Sequence, residues 1–368
     1  MKINLRDYGY SVIQIEVNNT CNMACTFCPL PIRGTPNRTM SYEDVIRIIE
    51  QVSHYEGIDF VALHQFGEPL LNRDIWNYID HCRPLGLRSQ LVTNGLLLNE
   101  KNIRRIIEHQ PNILRISAQI LAPDKHEEVR GVKMNAEQYL EQIADVIAAL
   151  IDADENGIEE ARIDLAVNPD NQRGLKKLKS MMGEATKMTE SGDPTIYNPS
   201  VRTTRPHVIN LLKLVESKSA RFNLSIDHLD ENIVKYYEEH GTDFAVAYDF
   251  GNNIKMAYKP FHNGRKLSQY YPIKSQVCNT SIIGILANGD VTLCCVDYEG
   301  GTAIGNILEE ELQDILRNGS TIIHDLHHEG KLHFDLCKKC LGCPTRHGAF
   351  IKNITSDFKK TIKTIKSV

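Results

Sequence analysis

Val12-Ile13-Gln14-Ile15-Glu16-Val17-Asn18-Asn19-Thr20-Cys21-Asn22-Met23-Ala24-Cys25-Thr26-Phe27-Cys28 decides the fold. The apolar segment 12–17 reads as a β-strand, and it runs straight into a loop carrying three cysteines. Thiolates are soft donors suited to Fe–S clusters and to zinc. A [4Fe–4S] cluster takes four ligands, so three cysteines leave one iron open, and an open iron binds a small molecule. A zinc site built from the same cysteines is the alternative, although no histidine stands beside the loop.

Outward from this loop, strand-like and helix-like stretches alternate. A helix is expected over 41–54, with Ser41 and Asp44 resembling a capping box and Val45, Ile48, Ile49 and Val52 on one face. Strands are expected at 59–63, 89–93, 113–118 and 161–167. Helices are expected at 74–82, 100–109 and 175–182, with Asn135 capping another whose stripe is Leu140, Ile143, Ile147, Leu150 and Ile151. Such alternation implies parallel βαβ units. Five or six units fit before Pro206, too few for a complete eight-unit barrel. The expected fold class is therefore α/β, a partial (βα)6 barrel. Beyond the polar stretch 184–200, helices are expected at 207–217 and 231–240 and strands at 222–226, 244–248 and 254–258. Asn288-Gly289, between apolar runs 282–286 and 291–295, signals a hairpin. The expected organisation is a core over 1–200, a connecting or substrate region over 201–276, a small unit over 277–350 and a tail or helix over 351–368.

The chain has 368 residues, 42% of them hydrophobic, which is enough to bury a full core. Its net charge of −5 and lack of long basic runs argue against a nucleic-acid partner. Lys359, Lys360, Lys363 and Lys366 read as a solvated helix face or tail. No apolar stretch approaches a bilayer span, and the N-terminus lacks a signal-peptide pattern, so a cytoplasmic location without membrane attachment is expected. In that reducing setting ten cysteines, nine of them in two groups, favour metal binding over disulfides. Cys82, the tenth, lies in a predicted helix as a small buried hydrophobe.

The spacing C-x3-C-x2-C, with Phe27 before the third cysteine, resembles the radical S-adenosylmethionine (SAM) signature. That resemblance implies a [4Fe–4S] cluster on Cys21, Cys25 and Cys28 whose open iron takes the amino and carboxylate groups of SAM. Reductive cleavage would then give a 5′-deoxyadenosyl radical that abstracts a substrate hydrogen. It places Phe27 near the adenine. His64-Gln65-Phe66-Gly67-Glu68-Pro69-Leu70 resembles the family's Gly-Gly-Glu-Pro segment, so Gly67, Glu68 and Pro69 are expected at the SAM ammonium. Phe66 departs from that pattern by replacing the first glycine. Asn94 resembles the turn found after the third strand of relatives. Ser117 is expected at the SAM ribose or carboxylate and Arg130 at the carboxylate, a surface salt bridge being the alternative for Arg130. Asn168 is a weaker candidate. His64 faces substrate or is a satisfied core histidine. A reductant such as flavodoxin or ferredoxin is implied.

The second group comprises Cys278, Cys294, Cys295, Cys337, Cys340 and Cys343. It resembles the auxiliary-cluster region of SPASM and "twitch" radical SAM proteins, but lacks the late cysteines of a two-cluster set. One auxiliary [4Fe–4S] cluster on Cys278, Cys294, Cys337 and Cys340 is expected, with Cys343 a substitute or a spare. Cys294 is chosen over Cys295 from the G-x4-C spacing, because neighbours on a regular strand face opposite ways. Cys295 is then a core thiol or a hydrogen-atom donor. A zinc knuckle is the alternative for Cys337, Cys340 and Cys343.

The activity expected is oxidation or epimerisation of a small polar metabolite such as a sugar or aminocyclitol, as in the twitch-type alcohol dehydrogenases that the single auxiliary cluster resembles. The first strand starts within about a dozen residues of Met1, so no extra N-terminal peptide-binding domain is expected. The rivals are a maturase of a ribosomal peptide and a non-catalytic Fe–S or zinc protein. Tyr258, His262, Asn263 and Arg265 are polar candidates for shaping a substrate pocket, with solvated loop residues as the alternative.

Overall fold

The computed structural model describes residues 3–119, 121–154, 157–167, 201–225, 245–260, 270–343 and 345–354. The helices expected at 175–182 and 231–240, along with Asn168, His262, Asn263, Arg265 and the C-terminal lysines, lie outside the described residues.

Ten strands form one open sheet: β1 (Val12–Ile15), β2 (Phe60–Ala62), β3 (Ser89–Thr93), β4 (Ile113–Gln119), β5 (Glu160–Val167), β6 (Ala245–Gly251), β7 (Ile254–Pro260), β8 (Ile282–Ile285), β9 (Asp290–Thr292) and β10 (Ala303–Asn306). Their order is β10-β9-β8-β1-β2-β3-β4-β5-β7-β6. The run β1-β2-β3-β4-β5-β7 is parallel throughout. This is the partial (βα)6 arrangement that the alternation implies. The parallel sheet does not stop at residue 200, since β7 supplies its sixth strand. At the other edge β8 joins β1 in parallel, and the expected Asn288-Gly289 hairpin follows as β8 and β9. The C-terminal cysteines are thereby attached to the strand that leads into the first cysteine loop.

The helices are α1 (Tyr42–Ser53), α2 (Ile75–Cys82), α3 (Glu100–His109), α4 (Pro123–Arg130), α5 (Ala136–Asp152), α6 (Val201–Lys218), α7 (Leu312–His324) and α8 (Asp335–Cys340). Their starts follow ordinary capping chemistry. Ser41 accepts from the Asp44 amide, and Asn135 accepts from the amides of Glu137 and Gln138. Cys82 is fully buried on α2, as a small hydrophobe would be. Among the described residues no helix is long and apolar enough to cross a membrane.

One expected strand is absent. Phe222–Ser225 form no strand, and Ile226 lies outside the described residues. The backbone amides of Leu224 and Ser225 go to side-chain acceptors, the Glu216 carboxylate and the Tyr248 hydroxyl. Phe222 packs its ring on Tyr248 and Phe250 of β6. The apolar pattern was therefore packing on a sheet edge, not joining it.

Strand alternation divides the sheet into two chemically distinct faces. Ile13, Ile15, Val61, Leu91, Leu114, Ile116, Ile163, Leu165 and Met256 share one core with the buried stripes of the helices. Tyr258 is in that core too, away from the polar face. The interleaved positions carry Gln14, His64, Gln90, Arg115, Ser117, Arg162, Asp164 and Lys259 among apolar Val12, Ala62, Val92, Ile113 and Ala257. A parallel sheet ordinarily buries apolar residues on both faces. A polar second face on this one is therefore informative.

Candidate active site

The first cysteine loop is held by its neighbours at several points. The amides of Ala24 and Thr26 donate to the carbonyls of Arg130 and Val129, at 3.1 and 2.9 Å. This close pairing at the end of α4 needs Gly131, which has φ 66°, and a Cβ there would stand 2.3 Å from the Ala24 oxygen. The Met23 amide and the Asn94 side-chain amide, the latter at 3.6 Å, point at the Cys21 sulfur. Burial, the largest influence, pushes the Cys21 thiol up to about 11, with Glu68 and Cys25 adding to it. Asn94 also donates to Asn22 Oδ1 at 2.7 Å, tying the end of β3 to the loop.

Gly67 has φ 48°, and a Cβ would meet Asn18 O at 2.3 Å and Thr20 O at 2.9 Å. The close approach expected of this glycine is therefore to the strand exit before Cys21. Glu68 is buried and its carboxylate is fully engaged by protein donors. Oε1 accepts from Thr93 Oγ1 at 2.7 Å and Leu70 N at 3.1 Å, and Oε2 accepts from Asn94 N at 2.7 Å. Burial raises its pKa to about 7 against these hydrogen bonds. Pro69 opens a short 3-10 turn that Glu68 caps. Glu68 thus latches the loop after β2 to the end of β3.

Arg130 is not a surface ion pair. Its side chain is 1% exposed, and among the described residues no carboxylate lies within ion-pair distance of it. Its Nε lies 3.1 Å from Met23 Sδ, and a terminal nitrogen donates to Asn94 O at 3.1 Å. Phe27 is half-buried against Ala122 and Val129. Ser117 lies two residues past Arg115 on β4, within a register irregularity between Ile116 and Gln119. On the polar face Asp164 accepts from Arg162 at 2.5 Å, and Lys259 lies 3.3 Å from it. His64 Nδ1, Arg115 Nε, Gln14 Oε1 and Gln90 Nε2 are buried atoms without a hydrogen-bond partner among the described residues. Burial, with Arg115 and Lys259 nearby, lowers the His64 pKa to about 4, leaving the ring neutral at neutral pH.

The second cysteine group also comes together. Cys340 and Cys337 both feel Cys278 and Cys294, and Cys337 also feels Cys340. Cys337 and Cys340 lie on α8, three residues apart and so on one side of it. Burial raises both of these thiols to about 12. Cys343 pairs its backbone with Tyr271 and is buried in the core, as Cys337 is. The strand argument for separating Cys294 from Cys295 does not hold. β9 ends at Thr292, both cysteines lie in the turn beyond it, and their thiols are hydrogen-bonded to each other.

Sequence reading missed the link between the two groups. Gln65, one residue past His64, donates from Nε2 to Asp297 O at 2.9 Å and Cys294 O at 3.4 Å. Gly284 makes room for it, since a Cβ would stand 2.4 Å from Gln65 Oε1. Asp297 in turn accepts from the amides of Glu299, Gly300, Gly301 and Thr302 and from the Thr302 hydroxyl. An aspartate three positions before Gly-Gly was the available signal for this loop.

Residues 15–159 match the radical SAM superfamily model, and residues 278–344 match that of an iron-sulfur cluster-binding domain, SPASM. The chain is a radical SAM protein with a C-terminal SPASM region. Its cofactors are accordingly SAM, a SAM-binding [4Fe–4S] cluster and auxiliary Fe–S chemistry. Among relatives, the S-adenosyl-L-methionine-dependent 2-deoxy-scyllo-inosamine dehydrogenase of Niallia circulans is 31% identical over 111 residues, 28% of this chain. The PqqA peptide cyclase of Rhizobium meliloti is 26% identical over 129 residues, 34% of this chain. The radical SAM chain spans 42% of the dehydrogenase's length and 33% of the cyclase's. The crystal structure of BtrN with AdoMet and 2-DOIA superposes with a TM-score of 0.45 at 16% identity, covering 92% of this chain and 96% of that one.

Proposed function

We propose that this radical SAM protein takes a hydrogen atom from a small polar substrate and releases it oxidised or epimerised. The observation that carries this reading is the polar sheet face, where His64, Arg115, Gln14 and Gln90 hold buried polar atoms with no hydrogen-bond partner among the described residues. Buried polar groups are almost always satisfied, and leaving one unpaired costs about 1–3 kcal/mol. A substrate rich in hydroxyl or amino groups supplies the missing donors and acceptors.

Cys21, Cys25 and Cys28 hold the SAM-binding cluster in this reading. Their donor set fits it: three thiols in one loop, with the Met23 and Asn94 N–H groups directed at the Cys21 sulfur. Such N–H donors stabilise thiolate charge. A cluster bound there would supply the electron for reductive cleavage of SAM. Arg130, already fixed by Met23 and Asn94, offers the rest of its guanidinium fork to the SAM carboxylate. Because Glu68 spends both oxygens on protein donors, it shapes the loop, and carbonyls near Gly67 receive the ammonium. Ser117 lies in the same polar row for a ribose or carboxylate oxygen, and Phe27 borders the loop on the adenine side. His64, neutral, orients substrate through a hydrogen bond.

Cys278, Cys294, Cys337 and Cys340 hold one auxiliary [4Fe–4S] cluster, supported by their mutual proximity from three separate segments. Held by these four thiols, such a cluster would supply a site for electron transfer. The similarity to a SAM-dependent inosamine dehydrogenase favours an alcohol-bearing ring as substrate.

The test is an anaerobic assay with deuterated sugars and aminocyclitols under a strong reductant. Deuterium in 5′-deoxyadenosine together with a ketone or epimer is the expected result. Absence of both, with a mass change on a coexpressed precursor peptide instead, would replace this reading by peptide maturation.

A further inference from the structure

Tyr10 precedes β1 by two residues and is fully buried, at 0% exposure. Its hydroxyl oxygen is closed to solvent and has no hydrogen-bond partner among the described residues. A phenol that deep normally finds an acceptor. Packing holds its ring in place. Its ring meets His327 edge-on, with centroids 4.9 Å apart at 83°. His327 Nδ1 lies 2.9 Å from the Cys278 carbonyl oxygen. Just past Tyr10, the amides of Ser11 and Val12 both donate to Ser281 O, which binds the segment to the stretch after Cys278. The ionisable groups within electrostatic reach of the hydroxyl are the thiols of Cys278, Cys294 and Cys337.

We infer that Tyr10 tunes the auxiliary cluster, its hydroxyl donating a hydrogen bond to one of the cluster's sulfurs. The inference rests on the assignment of Cys278, Cys294, Cys337 and Cys340 as ligands. Hydrogen bonds to sulfur draw off negative charge and favour the reduced state, so this contact raises the reduction potential. A residue near the start of the chain thereby sets the driving force for an electron acceptor built near its end. Tyr10 is a positioning residue in this scheme, because it acts through the cluster and touches no substrate.

The experiment uses the full chain, reconstituted anaerobically, in a background where Cys21, Cys25 and Cys28 are alanine so that one cluster remains. Tyr10→Phe keeps the ring against His327 and removes only the O–H. The expected result is an unchanged iron content, a lower reduction potential by EPR-monitored titration and loss of one exchangeable-proton coupling in ENDOR. An unchanged potential and an unchanged proton coupling would overturn the inference. Should Tyr10→Phe fail to fold, 3-fluorotyrosine at position 10 keeps the contact and strengthens the donor. It is expected to raise the potential, and no change there counts against the inference equally. A background protein that binds no four-iron cluster would sink the ligand assignment itself, and the inference with it.

Discussion

Replacing Gly131 by alanine separates backbone strain from the close approach that holds the first cysteine loop. The new Cβ would stand 2.3 Å from the Ala24 oxygen and 2.8 Å from its carbonyl carbon, at φ 66°. Left-handed backbone costs an alanine about 1–2 kcal/mol. The clash is with main chain, so no side chain can rotate away. Relief requires the loop to withdraw, which breaks the Ala24–Arg130 and Thr26–Val129 backbone bonds. At about 1 kcal/mol net for each bond, the total reaches roughly 3–4 kcal/mol. Since 1.4 kcal/mol is tenfold, the loop's opening equilibrium shifts by roughly 10²–10³. Gly86→Ala is the control: it has φ 72°, and its Cβ would meet nothing within 4 Å. Hydrogen exchange at the Ala24 and Thr26 amides, read alongside iron retained after anaerobic reconstitution, measures the effect. Gly131→Ala is expected to lose protection at both amides and about half of the iron, with Gly86→Ala losing neither. Equal behaviour of the two variants would refute the reasoning, because strain alone would then account for everything.

Three further outcomes follow from the site. Cys340→Ser is expected to lose on the order of four irons, one cubane; Cys343→Ser, whose residue packs in the core, keeps its iron by colorimetric assay. Gln65→Ala leaves the buried Asp297 and Cys294 carbonyls without this donor, a destabilisation of about 1–3 kcal/mol in urea unfolding. Glu68 has a pKa raised by burial to about 7, above its unfolded value. Its protonated form is therefore favoured by the fold, so its contribution is fully present below the unfolded pKa and is lost as pH rises through about 7. Urea midpoints of the apo protein between pH 5 and 8 are expected to show that loss, and Glu68→Gln, which cannot ionise, is expected to lack this part of the slope.

What the sequence disclosed and what it withheld divide along the range of the interactions. Ser41, Asn135 and the Asn288-Gly289 turn act on residues a few positions away, so their type alone announced two helix starts and a hairpin. The cysteine groups were visible because a metal cluster needs several donors and their spacing is a chemical pattern. Gly131 was silent in this respect. A glycine after a helix's last residue reads as an ordinary C-terminal cap. Nothing local says that a loop more than a hundred residues earlier will press against it. Gln65 and Tyr10 were silent for the same reason, since the residues they meet, Asp297 and His327, lie more than two hundred residues away. The error over Cys294 and Cys295 had a different source. Alternation was applied to a strand that ends at Thr292, two residues too early for the rule to reach them. Strand ends are set by where ladder partners stop, and here the partner β10 stops pairing at Ala303 after a register shift. The residues least legible in one dimension are thus those joining the two cysteine regions, because contact between distant segments is what the folded chain adds. Variants at Gln65 and Tyr10 probe that joining, whereas variants at the cysteines probe only each half.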